Sequence, residues 1–343
     1  MNVNGNFRDH LSTIIAGDNL NQSEMHQVMN TILSGDLTDA QIGAFMGALA
    51  AKGETFAELA GAAQAMRKKA LRIQTTASTV VDTCGTGGDG TQSFNISTTT
   101  AFVVAGCGVT VAKHGNRSVS SRCGSADLLE SLGVRLETEP EIVEEAITAI
   151  GIGFLFAPLY HSAMRHAAGP RKEIGLRSIF NMLGPLTNPA GANCQLLGVY
   201  APELTEMFAD ALKLLGSKRA IIVHGHDGLD EISVCAPTRV SELKDGRIGT
   251  FDLRPERFFG EVADPATMQG GDPMENADIT RRILSGEKGP RRNVVVLNAA
   301  AALVAADKAS DIQAGIKQAE AAIDAGAATG KLEQLIEYTR KNG

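Results

Sequence analysis

Thr79-Val80-Val81-Asp82 runs directly into Thr83-Cys84-Gly85-Thr86-Gly87-Gly88-Asp89-Gly90, and then into Asn95-Ile96-Ser97-Thr98 at the head of an apolar stretch. A β-branched run that opens into a glycine cluster and then a helix is a strand–loop–helix unit. Such a strand has to be buried in a sheet that its helix covers. The unit recurs. Val109-Thr110-Val111-Ala112 reads as a second strand, a short helix spans 125–132 and stops at Gly133, and strand-like runs return at 153–156, 220–224 and 293–297. This alternation predicts a mostly parallel central sheet with helices on its faces. Ligands of such sheets bind outside the carboxyl ends of the strands, so the loops after those ends are the places to look for chemistry.

The first seventy residues show no strand pattern. Thr38-Asp39-Ala40-Gln41 has capping-box spacing, followed by Ile42, Phe45, Met46 and Leu49 on one helical face, and Thr55-Phe56-Ala57-Glu58 repeats the signal. The expectation is a small N-terminal α-helical domain over 1–72, completed by helices within 160–190, beside a larger α/β domain over 73–343. The stretch 160–188 is polar and helical, carrying Arg165, Arg171, Lys172 and Arg177. Residues 246–289 give no clear assignment. The five cysteines are odd in number and lack C-x-x-C spacing, which argues against disulfides and structural zinc. With no secretory signal at the start and no apolar run long enough to span a bilayer, a soluble, cytoplasmic protein without membrane contact is expected. A net charge of −7 opposes nucleic-acid binding, which needs a basic surface.

Gly85, Gly87 and Gly90 satisfy G-x-G-x-x-G, yet the dinucleotide reading needs an acidic residue at the end of the next strand, where Lys113-His114 stands. The Walker pattern lacks its closing Lys-Ser or Lys-Thr. Anion binding remains: glycines let backbone N–H groups form a concave nest, and Asn95, Ser97 and Thr98 sit where helix N–H groups and the dipole favour anions. The competing explanation is a tight turn with a capping Asn. The next loop, from Lys113 to Ser121, offers basic groups and hydroxyls that should face the glycine loop, since adjacent βα loops converge. The alternative there is a solvated basic turn. Asp230-Glu231 on a loop suits a hard cation such as Mg²⁺, which takes one or two carboxylates with water and phosphate oxygens; otherwise it is a charged surface turn. His224-Gly225-His226-Asp227 admits a transition metal as a further alternative.

Taken together, these segments resemble the anthranilate phosphoribosyltransferase family over nearly the whole chain. Besides the loops above, the resemblance rests on Gln41 to Phe45, Lys52 to Thr55, Gly124-Ser125-Ala126-Asp127, Phe156 to His161, Arg171-Lys172-Glu173, Phe180 to Pro189 and Gly228-Leu229-Asp230-Glu231. It implies the nucleoside phosphorylase/phosphoribosyltransferase type of fold and a homodimer joined through the helical domains. The implied reaction, in tryptophan biosynthesis, is transfer of the phosphoribosyl group from phosphoribosyl pyrophosphate to anthranilate. By matched motifs, Gly85, Gly88, Asp89, Ser93, Asn95, Ile96, Ser97 and Thr98 would hold the donor. Lys113, His114, Gly115, Asn116, Arg117, Ser118, Val119, Ser120, Ser121 and Ser125 would join them. Gly85, Asn116 and Arg171 would contact anthranilate, and Ser97, Asp230 and Glu231 would bind Mg²⁺, as two ions. Lys113, His114, Asn116 and Arg171 would be the catalytic set.

The residue chemistry agrees with that resemblance. An arginine fork can grip the anthranilate carboxylate bidentately, and an aromatic amine is already neutral near pH 7, so stabilising the leaving pyrophosphate outweighs deprotonating the nucleophile. No obligate general base is expected, with His114 tuning the acceptor pocket. Ser93, Cys123 and Ser162 depart from the usual Thr, Ser and Pro, and none removes an expected ligand. The rivals are a pyrimidine nucleoside phosphorylase, a silent nucleic-acid-binding relative and a Rossmann dehydrogenase. The Lys113-to-Arg117 motif opposes the first, net charge and Arg171 the second, and the missing acidic residue the third.

Overall fold

In the computed structural model, which describes residues 3–118 and 122–343, four helices precede any strand: α1 (Val3–Ile15), α2 (Gln22–Ser34), α3 (Asp39–Lys52) and α4 (Phe56–Lys69). The last three start on reciprocal caps. Asn21, Thr38 and Thr55 accept from the N–H three residues on, while Glu24, Gln41 and Glu58 reach back to the cap's own N–H. This satisfies donors that a helix start otherwise leaves orphaned. Glu58 does more than cap. Fully buried, it also accepts from the Leu20 N–H at 3.0 Å and from Lys52 Nζ at 3.0 Å, tying the α1–α2 connection to α3 and α4.

From residue 80 strands and helices alternate: β1 (Val80–Gly85), α5 (Ile96–Gly106), β2 (Thr110–Gly115), α6 (Ser125–Leu132), α7 (Pro140–Ile150) and β3 (Ile152–Phe156). Short helices α8 (Ala157–Tyr160), α9 (Arg165–Ile174) and α10 (Phe180–Leu183) lead to β4 (Cys194–Gly198), α11 (Leu204–Leu214) and β5 (Arg219–Gly225). A hairpin of β6 (Thr238–Lys244) and β7 (Arg247–Leu253) follows. The chain closes with α12 (Glu256–Phe259), α13 (Pro273–Leu284), α14 (Pro290–Ala305), α15 (Ile312–Asp324) and α16 (Ala327–Asn342). The seven-stranded sheet has the order β3-β2-β1-β4-β5-β6-β7. Its first five strands are parallel and its last two pairings antiparallel. The strand sequence turns back on itself between β1 and β4, and that switch point is where an open α/β sheet leaves a crevice.

The two sheet faces are covered differently. One packs against α5, α6 and α13 to α16 in a single apolar core. On the other, Leu197 and Ile222 join α11, α10 and the apolar faces of α1 to α4 in a second core, so the helical bundle shares its interior with the sheet. Helix α9 packs on α2 and α3.

Several elements differ from the sequence expectation. Residues 293–297 are no strand but the first half of α14, because the apolar run continues through Ala305 and is buried on all sides. A short β-branched run cannot be told from a buried helix by periodicity, and only its full length decides. Strand β4, the centre of the sheet, and the β6–β7 hairpin, which enters the unassigned region, lie outside that expectation. Strands β1 and β2 also run on to Gly85 and Gly115, so Lys113 and His114 are strand residues rather than loop residues.

Helix α14 carries a polar group that its sequence setting hides. Asn298 is fully buried, accepts from the Ile232 N–H at 3.0 Å and donates to the Ile232 carbonyl at 2.9 Å, fixing the backbone next to Glu231. Asn298→Leu would strand both groups without water, so we expect a loss of about 2–4 kcal/mol of unfolding free energy, measurable by urea denaturation.

Candidate functional site

The glycine loop leaves β1 at the switch point. Thr86 N–H donates to the Gly198 carbonyl at 2.9 Å, and Gly87, Gly88 and Gly90 hold φ of 64°, 76° and 76°, a region costly for any residue with a Cβ. One loop donor is engaged from within the chain: Gly87 N–H donates to Asp230 Oδ2 at 3.0 Å. Asp230 comes this close because β4 ends in glycine. A Cβ on Gly198 would lie 1.5 Å from the Asp230 carbonyl oxygen, and one on Gly85 would lie 2.8 Å from Asp230 Oδ2. The Asp230 N–H in turn approaches Asp89 Oδ2 at 3.4 Å, and Asp89 accepts from both polar groups of Thr91.

Three carboxylates therefore gather at the mouth of β1, β4 and β5. Burial and the Asp89 charge push Asp230 up to about 7. Burial, then Asp230, pushes the Glu231 carboxyl well above the usual range, while Lys113 and a hydrogen bond from the Ser97 N–H pull it down. Among the described residues, no three of His, Cys, Asp and Glu converge closely enough to hold a metal ion by themselves. A carboxylate cluster that repels itself, with the Ser97 hydroxyl nearby, suits a hard divalent cation that takes its remaining ligands from phosphate and water.

Lys113 lies beneath this cluster at 4% exposure. Its Nζ donates to the Thr83 carbonyl and lies 3.4 Å from Ser97 Oγ. Burial lowers its pKa, opposed chiefly by the charge of Asp82. Asp82, fully buried in β1, accepts from the His114 N–H at 3.2 Å and from Asn188 Nδ2 at 2.8 Å, and so fixes the register of the strand that presents Lys113.

His114 does not face the glycine loop. Successive strand residues point to opposite faces, and its ring is directed toward α8 and α10, with Nδ1 3.1 Å from the Gly184 carbonyl and Nε2 3.2 Å from His161 Nε2. A carbonyl only accepts, so His114 Nδ1 carries the proton and Nε2 accepts from the His161 N–H. Burial first, then His161, pushes His114 down to about 3, and burial pushes His161 down to about 4. Both rings are neutral at pH 7.

Arg117 is also turned away from the expected direction. It pairs with Asp127 at 3.0 Å and Glu130 at 2.8 Å on α6, while Asp127 accepts from the Ser118 and Gly124 N–H groups. Helix α6 thus neutralises this exposed cation. Asn116 bonds the Arg117 N–H through Oδ1, and its carbonyl accepts from Ser125 Oγ at 3.2 Å. Asn95 does not cap α5. Its amide donates to the Cys123 carbonyl at 3.0 Å and accepts from Asn276 at 3.0 Å, binding the helix start to the 122–124 turn and to α13. Ile96 is buried, and Thr98 has a buried hydroxyl with no partner among the described residues. Ser93 bridges to Gln269. Val119, Ser120 and Ser121 lie outside the described residues.

Arg171, in the last turn of α9, is half-buried with its guanidinium 5.6 Å from the Phe180 ring centroid. Burial lowers its pKa, and among the described residues no carboxylate lies within ion-pair distance. Six residues on, Arg177 stacks on Tyr200 at 3.7 Å and donates to the Gly88 carbonyl at 3.0 Å, while the Tyr200 N–H donates to Thr86 Oγ1. Arg177 and Tyr200 thereby tie the connector after Arg171 to the glycine loop. The sequence marks Arg177 only as part of a polar stretch, and it does not single out Tyr200, Gly198, Asp82 or Asn188 for the site. A lone arginine and a lone tyrosine carry no spacing signal, whereas the Asn188-Pro189 turn offers one.

Comparison with known proteins follows the same lines. Residues 77–329 match the α/β domain of a glycosyl transferase family, and residues 8–70 match the helical bundle domain of a glycosyl transferase family. The chain is 69% identical over 338 residues to an anthranilate phosphoribosyltransferase of Desulfosudis oleivorans, covering 98% of this chain and 100% of that one. It is similar to the crystal structure of the Thermus thermophilus anthranilate phosphoribosyltransferase, with a TM-score of 0.92, 43% identity and coverage of 96% and 99%. The Saccharomyces cerevisiae enzyme in complex with phosphoribosyl pyrophosphate and Mg aligns with a TM-score of 0.89, 29% identity and 98% coverage of both chains.

The histidine pair generates a pH dependence of stability. Unfolded imidazoles protonate below about 6.5, while these two stay neutral in the fold until near 3 and 4. Between those limits the unfolded chain binds more protons, so stability falls as pH drops from 6.5. We expect Tm to decline from pH 7 to pH 4.5 more steeply in the wild type than in His161→Asn, as followed by thermal denaturation.

Proposed function

The chain belongs to the anthranilate phosphoribosyltransferase family, and on that premise we propose that it transfers the phosphoribosyl group of phosphoribosyl pyrophosphate to the amine of anthranilate, releasing pyrophosphate. The reading is carried by one arrangement: a glycine loop, a helix start and a buried lysine meet the Asp89, Asp230 and Glu231 carboxylates at the switch point. A polyphosphate with a divalent cation satisfies both charge sets, whereas the carboxylates would repel a bare polyphosphate and the lysine would repel a bare cation.

We assign donor binding to Gly85, Gly88 and Asp89 of the glycine loop, to Ser93 and to the α5 start at Asn95 to Thr98, together with Lys113 to Ser121 and Ser125. Within this set the structure supports different roles. Backbone N–H groups of the loop and α5 would face phosphate oxygens, and Lys113 would neutralise the leaving pyrophosphate from below. Asn95 would hold the helix start in place, and Arg117 would brace its loop against α6. Ser97, Asp230 and Glu231, with Asp89 beside them, would hold Mg²⁺, as two ions. When bound, the metal neutralises charge on the departing pyrophosphate. Asp230 has to leave the Gly87 N–H for that donor to reach a phosphate.

Arg171 would grip the acceptor carboxylate, with Asn116 and Gly85 beside the ring. The arylamine nitrogen then attacks the ribose C1 as the C1–O bond to pyrophosphate breaks, and the extra amine proton passes afterwards to solvent. His114, neutral with both ring nitrogens engaged, supplies position rather than a proton. A homodimer through the helical segments (1–72, with helices from 160–190) is part of the reading, as is a cytoplasmic setting. The exposed Ile15 at the end of α1 offers apolar surface for such contact.

Purified protein with Mg²⁺ and both substrates should consume anthranilate, followed by its fluorescence, an assay helped by the absence of tryptophan. Phosphorolysis of thymidine or uridine in its place would overturn the reading. Chelation by EDTA should abolish turnover and added Mg²⁺ restore it. Arg171→Ala should raise the KM for anthranilate about 10- to 100-fold, the worth of a charge-assisted bidentate grip, with little change in the donor's KM. Arg177→Ala should instead raise the donor's KM, because the glycine loop loses its anchor.

A further inference from the structure

A second basic site lies at the opposite edge of the sheet. The carboxyl end of α11 feeds β5, so it sits at the amino ends of the parallel strands, away from the glycine loop. There it meets α2 and α4 around a cavity of about 460 Å³. His26, Arg67, Lys68 and Arg72 line it together with Leu214 and Leu215, and no acidic side chain contributes to the wall. Among the described residues, none of the four basic groups has a carboxylate within ion-pair distance.

Burial, then the Arg72 charge, lowers Arg67 to about 10, and burial, then Lys68, lowers His26. The deeply buried Arg219 and Arg292 are handled differently: Arg219 pairs with Glu242 and Asp307, and Arg292 with Asp324. Arg67 has only carbonyls, donating from Nε to Leu186 at 2.6 Å and from Nη1 to Leu215 at 3.5 Å. The carboxyl-terminal dipole of α4 favours cations in its last turn, which accounts for Arg67 and Lys68. It does not account for Arg72 and His26, which lie outside that turn. We propose that this cavity binds a small phosphate ester. The basic wall would hold the phosphate, and the half-exposed Leu214 and Leu215 would cover the uncharged remainder. The site is independent of the transfer reaction assigned above. Its position carries one structural consequence: Arg67 holds the Leu186 carbonyl, and Leu186 ends the 3-10 turn whose Gly184 carbonyl receives His114.

The test is calorimetric titration of the full chain with phenyl phosphate in EDTA at low ionic strength. Phenyl phosphate carries a dianion and an apolar ring but is neither substrate nor product. We expect saturable binding that weakens as salt is raised. It should weaken about tenfold or more in Lys68→Gln/Arg72→Gln, since two salt-screened contacts from exposed cations are lost, and it should persist in Lys113→Met. Both side chains substituted in the double variant are exposed, and an unchanged Tm confirms the fold. No binding by the wild type overturns the proposal. So does unchanged affinity in the double variant, and so does loss in Lys113→Met alone, which would place the ligand in the glycine-loop cleft.

Discussion

A lysine ammonium at 4% exposure has to be met by acceptors, and the way Lys113 is met organises the switch-point end of the sheet. Its partners come from four separate points: the Thr83 carbonyl of β1, the Ser97 hydroxyl at the start of α5, the Glu231 charge after β5 and the Asp82 charge on the far side of β1. Each is costly to bury alone and tolerable only in this company. The segments must therefore arrive together, which places the glycine loop, the helix start and the acidic loop around one cleft. Asn188, through Asp82 and the Ala112 carbonyl, and Asn298, through Ile232, hold the backbones that make this possible.

The site is divided across the sheet. Lys113 and His114 are neighbours in β2, yet one lies beneath the glycine loop and its carboxylates and the other is locked into a neutral pair with His161 against the 184–187 turn. The cleft thus has a lysine among carboxylates on one side and, across the strand, a neutral histidine pair with the Arg171 guanidinium over the Phe180 ring. Arg177, stacked on Tyr200 and bonded to Gly88, joins the two sides mechanically, because the connector that carries it continues from Arg171.

Much of the fold was legible because its signals are local. Capping boxes at Thr38 and Thr55 begin helices where their spacing says they should, and Gly133 ends α6. The glycine loop was recognisable because a nest needs glycine in a particular order. Other parts were not legible because their information is not local. Val294 to Leu297 looks like a strand in a short window and is helix in a longer one. Arg117 reads as facing the glycine loop, and in the fold it pairs with Asp127 and Glu130 on α6. Asn95 looked like a cap, and its amide is committed to Cys123 and Asn276, the latter 181 residues away.

Sequence alone determined the class of fold, the family and the chemical kinds of group at the site, since strand–loop–helix periodicity and ordered glycine, basic and acidic motifs are written in consecutive residues. Tertiary structure decided which of those groups face one another. Strand alternation sent His114 away from Lys113, and α6 drew Arg117 aside. The absence of a Cβ at Gly198 let Asp230 reach the glycine loop from 143 residues along the chain. Pairing of charges depends on distance in space and on exclusion of water, and neither quantity is carried by residue order.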